Sequence, residues 1–81
     1  MQKLRKVGYQ LLAEKELEAA ISVFEFIVEC NPDSVEGYDA LGEACAMAGL
    51  TDRAIAAYRR ALELDPDFDH AAEALQQLGG D

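Results

Sequence analysis

The chain has 81 residues, of which 51% are hydrophobic, and it is therefore too apolar for a disordered segment. Its formal net charge is −9, and because Lys3, Arg5 and Lys6 contribute +3, the remaining residues sum to −12. This acidity argues against a nucleic-acid binder or a protein of anionic membrane surfaces, and the sequence has neither a membrane-spanning apolar run nor enough cysteines for a disulfide scaffold.

Residue patterns predict five helices along the chain. Abundant Ala, Leu and Glu favour helix over strand, and Pro32 and Pro66, each followed by Asp, separate helices. Ser34 and Thr51 are expected to cap the third and fourth helices, and Gly49 to end the third in the left-handed conformation. The predicted helices cover residues 2–14, 17–30, 35–48, 51–64 and 68–78.

A repeat of 34 residues organises these helices. Pro32 and Pro66 are separated by this distance, and small and bulky residues recur at the same offset. The matched pairs are Gly8 with Gly42, Ala20 with Ala54, Phe24 with Tyr58, Ile21 with Ile55, Leu4 with Tyr38, Val7 with Leu41 and Asp33 with Asp67. This period is the one expected of a helix–turn–helix repeat.

Gly8 and Gly42 lie inside predicted helices, where glycine costs roughly 1 kcal/mol relative to alanine. We interpret both as points of close helix approach, at which a side chain would push the second helix of the unit away. The aromatic residues Phe24 and Tyr58 are expected to fill the space between helix pairs.

The last segment, residues 68–78, begins a third repeat and does not complete it. Ala72 and Leu75 continue the apolar positions, while Asp69 and Glu73 leave the other side polar. A helix of this kind covers the preceding pair and turns its polar side to water, as the end of a solenoid requires. We therefore predict one all-α domain over residues 1–81, with repeats at 1–34 and 35–68 and a capping helix at 68–78.

These positions resemble the tetratricopeptide repeat family over nearly the whole chain. The resemblance implies an α–α superhelix of two helix–turn–helix units plus a C-terminal capping helix, in which the first helices line a groove that binds peptides or partner proteins. Residues 8–34 (GYQLLAEKELEAAISVFEFIVECNPDS) and 38–44 (YDALGEA) also resemble repeat segments at the C-terminal end of some bacterial serine hydrolases. That narrower resemblance implies an accessory or oligomerisation domain of a larger enzyme.

Helix geometry assigns groove-facing residues to the first helix of each unit, at three- and four-residue spacing. The candidate groove residues are Arg5, Tyr9, Leu12, Glu36, Asp39, Glu43, Met47, His70, Glu73 and Gln77. Carboxylates beside apolar side chains lead to the hypothesis of a partner segment that carries Lys or Arg and an apolar anchor. The alternative is that these carboxylates only solvate a helix face and that the acidity serves solubility.

Some tetratricopeptide proteins bind the acidic C-terminal tails of chaperones with Lys and Asn at the matched groove positions. In this chain only Arg5 keeps the positive charge, and the carboxylates of Asp39 and Glu43 would repel such a tail. We therefore predict that the chain does not bind chaperone tails.

No arrangement of residues predicts catalysis. His70 is the only histidine and is interpreted as a surface residue, and Ser22 and Ser34 do not lie in a G-x-S-x-G turn. Cys30 and Cys45 are interpreted as small packing residues, and one His with two scattered Cys does not predict a zinc site. We expect a cytoplasmic protein-binding module without cofactors, and we add the hypothesis of weak self-association through its N-terminal end or through an exchanged helix. A structural spacer is a further alternative.

Overall fold

The structure is a computed structural model that describes residues 2–79, and these residues form five α-helices and no strand. The helices are α1 (Gln2–Ala13), α2 (Leu17–Cys30), α3 (Val35–Met47), α4 (Thr51–Leu64) and α5 (Asp69–Gln77). The five predicted helices are confirmed, and their ends differ from the predicted ones by at most one residue. The division into repeats at 1–34 and 35–68 stays a prediction, and Met1 and residues 80–81 lie outside the described part.

Local hydrogen bonds and backbone angles set the helix ends. The Gly37 N–H donates to Ser34 Oγ at 3.0 Å, so Ser34 caps α3 as predicted. Gly49 has a φ of +80° and adopts the predicted left-handed conformation after α3. The turn after α1 contains no glycine, and Lys15 adopts the left-handed conformation there, with a φ of 65°. A side chain at such a position costs about 1–2 kcal/mol.

The predicted cap of α4 is wrong. Thr51 is the first residue of α4 rather than its N-cap. The Ala54 N–H donates to the carbonyl oxygen of Leu50 at 2.9 Å, so the helical hydrogen bonds begin one residue before the threonine. Leu50 therefore holds the N-cap position, and its apolar side chain accepts no hydrogen bond from the first turn.

Each helix pair closes where an aromatic ring covers a glycine. A Cβ atom at Gly8 would lie 2.6 Å from Phe24 Cζ, and one at Gly42 would lie 2.9 Å from ring carbons of Tyr58. Both distances are shorter than Cβ atoms adopt in proteins. The predicted close approaches at Gly8 and Gly42 are therefore confirmed, and the covering ring comes from the second helix of the same unit.

The helices stack in chain order. Helix α1 packs on α2 and α3 on α4 within the two units, α2 packs on α3 between them, and α5 packs on α4. The fold is therefore an α–α superhelix of two helix–turn–helix units followed by a C-terminal helix. Helix α5 buries Ala71 and Leu75 and exposes Glu73 and Gln77, as a capping helix requires. None of the helices described is long and apolar enough to cross a membrane.

The two cysteines differ in their surroundings. Cys45 is 1% exposed within the core, and burial raises the pKa of its thiol. Cys30 is exposed, so its interpretation as a packing residue is wrong. It follows the buried Val28 by two residues, and side chains two residues apart project from nearly opposite sides of a helix.

Candidate functional site

Two hydrogen bonds join the first helices of successive units. Arg5 Nη1 on α1 donates to Glu36 Oε1 on α3 at 2.9 Å. His70 Nδ1 on α5 lies 2.7 Å from Asp39 Oδ1 on α3, the distance of a hydrogen bond between an imidazole and a carboxylate. Because each bond crosses from one first helix to the next, α1, α3 and α5 present side chains to one common surface.

Asp39 is the most enclosed charged group on this surface. The residue is 8% exposed, and its side chain 11%, whereas the side chain of His70 is 61% exposed. A carboxylate removed from water requires a hydrogen-bonding or charged partner, which His70 supplies. The bond to Asp39 and its charge raise the pKa of His70, Glu43 and Glu73 add to the effect, and partial burial opposes it.

Tyr9 lies on the same surface at α1. Its ring meets the buried ring of Phe24 edge-on, with centroids 5.3 Å apart, while the residue stays 41% exposed. Partial burial raises the pKa of the Tyr9 hydroxyl most, and the nearby carboxylates of Asp39 and Glu43 raise it further, against a smaller lowering by Arg5. The phenol therefore faces a surface of negative potential.

Tyr58 on α4 is influenced by the same carboxylates. Tyr58 is 3% exposed. Burial raises the pKa of its hydroxyl, and the charges of Asp39 and Glu43 act in the same direction. The charges of Asp39 and Glu43 therefore act on both Tyr9 and Tyr58.

Seven of the ten predicted groove residues are thus brought together on one surface, which we term the first-helix face. It comprises Arg5, Tyr9, Glu36, Asp39, Glu43, His70 and Glu73. Met47 and Gln77 are exposed and follow Glu43 and Glu73 by four residues, so they extend the same sides of α3 and α5. A role for any of these residues in ligand contact stays a prediction.

The prediction for Leu12 is wrong. Leu12 is 5% exposed and belongs to the hydrophobic core. It lies three residues after Tyr9, but its side chain is enclosed by the stack instead of reaching the surface. An apolar anchor of a ligand therefore has Tyr9 and Met47 to contact, and not Leu12.

A cleft with a volume of 510 Å³ lies at the turn between α2 and α3 and shares only Arg5 with the first-helix face. Its lining comprises Arg5, Ile27, Cys30, Asn31, Pro32, Asp33 and Ser34. The lining consists mainly of the turn itself, and Ser34 and Asn31 already use their side chains in local hydrogen bonds to α3 and α2. The convergence of charged and aromatic groups makes the first-helix face the stronger candidate for binding.

The sequence places His70 at the surface and among the candidate groove residues, but it does not predict the bond between His70 and Asp39. The bond joins residues 31 apart in sequence, as does the bond between Arg5 and Glu36. A shift of one repeat converts the pair of Arg5 and Glu36 into the pair of Asp39 and His70. This shared separation is the signal that relates the two pairs.

The second unit matches a known family of repeats. Residues 35–68 match the family model described as tetratricopeptide repeat. Helices α1 and α2 form the preceding unit of the same architecture, with an aromatic ring over a glycine at the equivalent position.

Two solved structures share this fold. The translocator chaperone SycD of the Yersinia enterocolitica type III secretion system aligns over 98% of this chain and 57% of its own, with a TM-score of 0.84 and 24% identity. A chain of the CopN-Scc3 complex aligns over 95% of this chain and 55% of its own, with a TM-score of 0.78 and 22% identity. At these identities the likeness concerns the fold.

A curated relative is similar in sequence. The peroxisomal targeting signal receptor of Candida glabrata is 32% identical over 65 residues, which cover 80% of this chain. The matched region spans 11% of the length of that receptor. The repeat match at residues 35–68 supports a protein–protein interaction module.

Proposed function

We propose that the chain binds an extended segment of a partner protein on the first-helix face, and that this segment carries Lys or Arg beside an apolar residue. The observation that carries the proposal is the convergence of three carboxylates of α3 near the exposed ring of Tyr9, with a fourth carboxylate on α5 near His70. The three belong to Glu36, Asp39 and Glu43, and the fourth belongs to Glu73.

The charge of the first-helix face favours a cation. Arg5 pairs with Glu36 and His70 with Asp39, while Glu43 and Glu73 add further negative charge. A Lys or Arg of the partner would meet an opposite charge on this surface, and complementary charge increases both the association rate and the discrimination between partners. The same charges repel an acidic peptide, so we propose that acidic chaperone tails are not ligands.

The apolar part of the ligand has two side chains available. Tyr9 is 41% exposed and Met47 is 42% exposed. Tyrosine offers a large rigid surface, and methionine adapts its shape to the group it contacts. An aliphatic or aromatic residue near the cationic one would therefore find a complementary contact.

The names of two similar proteins support a protein as the ligand. One is called a targeting signal receptor, and another is called a translocator chaperone, so both names describe recognition of other proteins. The role proposed for this chain is likewise binding, without catalysis or a cofactor. A cytoplasmic location stays a prediction.

Charge reversal tests the proposal. A fluorescent peptide with Lys and Arg flanking Leu is titrated by anisotropy with the wild type, with Glu43→Lys/Glu73→Lys and with the control Glu18→Lys/Glu29→Lys. Both variants change the net charge equally, but Glu18 and Glu29 lie exposed on α2. We expect the first variant to weaken binding about tenfold or more and the control to change it by less than about twofold. Equal weakening would show that net charge alone attracts the peptide.

A second candidate is an accessory or oligomerisation domain of a larger bacterial enzyme. The exposed side chains of Val7 and Phe26 favour it, since both are large apolar groups on the first unit that a further protein surface would cover. Of this second candidate function, weak self-association is the part that can be tested with the chain alone. Sedimentation at rising concentration tests it, and a mass that stays monomeric for the wild type and for Phe26→Ser alike would contradict it.

A further inference from the structure

His70 lies between the most enclosed carboxylate of the first-helix face and solvent. Its imidazole contacts Asp39 at 2.7 Å, and the Asp39 side chain is 11% exposed against 61% for His70. The carboxylate best enclosed for holding a cation is therefore already paired with a side chain of α5. That side chain is itself a cation only when it is protonated.

The surroundings of the pair are mainly acidic. The titratable and charged groups that face it are Glu43 on α3, Glu73 on α5, Tyr58 on α4, and Tyr9, Arg5 and the paired Glu36 at the α1 side. Arg5 is held by its bond to Glu36 and does not replace His70 at Asp39. His70, the only histidine of the chain, is thus the group whose charge changes near neutral pH.

We propose that His70 is a displaceable counter-ion that competes with the Lys or Arg of a bound partner for Asp39, so that the first-helix face binds a basic segment more tightly after His70 has lost its proton. This inference rests on the function proposed above and adds its regulation. The protonated imidazole occupies Asp39 and reduces the negative charge of the face by one unit. The neutral imidazole does not reduce the negative charge of the face, and a Lys or Arg of the ligand displaces it more readily.

Binding and protonation are coupled in both directions. If protonation of His70 weakens the binding of the basic ligand, the bound ligand must weaken the binding of the proton to His70. The pKa of His70 therefore falls when the ligand binds. In the free chain the pKa of His70 is raised by the bond to Asp39, which is the direction that the competition requires. The side chain of His70 is largely exposed, so solvent screens the effect and the change in affinity is modest, about two- to fivefold.

Two measurements test the proposal. The first follows the imidazole carbon-bound protons of His70 by NMR from about pH 5 to pH 8.5, in the wild type and in Asp39→Asn. We expect the pKa of His70 to fall in Asp39→Asn. The second measures the affinity of the Lys–Leu–Arg peptide over the same pH range for the wild type, for His70→Gln and for the control Gln77→His, which adds a second histidine about two turns further along α5.

The expected result is an affinity of the wild type that rises about two- to fivefold with pH, and an affinity of His70→Gln that stays nearly flat. An unchanged His70 pKa in Asp39→Asn would show that the pair does not form in solution and would overturn the competition. The same pH dependence in wild type and His70→Gln would overturn it while the proposed function stands. A peptide that binds at no pH would overturn the proposed function and the competition together, even where the NMR titration shows the pair.

Discussion

Asp39 occupies in the second unit the position that Arg5 occupies in the first, and each reaches a residue of the next first helix that lies 31 positions further along the chain. The two cross-helix bonds are therefore repeats of one contact with the charges exchanged. Arg5 donates to Glu36 on α3, whereas Asp39 pairs with His70 on α5. Only the second pair contains a group that titrates near neutral pH.

This difference predicts that one of the two bonds depends on pH. The folded-state pKa of His70 is raised, so its contribution to stability is fully present below the unfolded-state value and is lost as pH rises through the folded-state value. Because the imidazole is largely exposed, we expect a loss of only a few tenths of a kcal/mol between about pH 6 and pH 8.5. Urea unfolding at both pH values measures this loss of stability. His70→Gln should remove the pH-dependent loss and Arg5→Gln should keep it. The reverse pattern would contradict the assignment of the loss to the bond between His70 and Asp39.

The contacts of Gly8 and Gly42 predict a large effect from one methyl group. Alanine at Gly8 would meet the fully buried ring of Phe24 at 2.6 Å, which outweighs its better helix propensity. We expect Gly8→Ala to lower the free energy of unfolding by about 1–2 kcal/mol, and Gly42→Ala to act in the same direction against Tyr58.

A double-mutant cycle identifies the cause of the loss at Gly8. In the background of Phe24→Leu the ring is absent, so Gly8→Ala should cost distinctly less than in the wild type. Denaturant unfolding of the four proteins gives the coupling. A cost of Gly8→Ala that does not depend on residue 24 would show that the ring is not the obstacle.

The helix caps provide a matched pair of substitutions. Ser34 accepts a hydrogen bond from the Gly37 N–H, whereas Thr51 lies within the first turn of α4 and is not its N-cap. We expect Ser34→Ala to destabilise the protein by about 1 kcal/mol and Thr51→Ala to change stability by less than about 0.5 kcal/mol. Thermal or urea unfolding of the two variants measures both losses of stability. A larger loss for Thr51→Ala than for Ser34→Ala would show that Thr51 is the N-cap of α4.

The two thiols should differ in reactivity. Cys30 is exposed, while Cys45 is 1% exposed and burial raises the pKa of its thiol, which lowers the thiolate fraction. In native protein we expect a disulfide reagent to modify one thiol quickly and the second only after denaturation. Cys30→Ser should abolish the fast phase and Cys45→Ser should keep it. Two fast phases in the native wild type would contradict the burial of Cys45.

The arrangement of the candidate site was only partly predictable from the sequence. Three- and four-residue spacing was sufficient to place Arg5, Glu36 and Asp39 on related helix faces, because side-chain direction along a helix is a local property. The burial of Leu12 was not predictable in this way. Spacing gives the side of a helix from which a residue projects, and it does not give how far the neighbouring helix extends over that side.

The period, the five helices and the close approach at Gly8 and Gly42 were predictable from the sequence alone, because these depend on residue size and on contacts within one helix pair. The stacking of successive units decided the rest. It placed Arg5 against Glu36 and His70 against Asp39. Such contacts join residues of different units, and their distances are fixed only when each pair packs on the next at a definite angle.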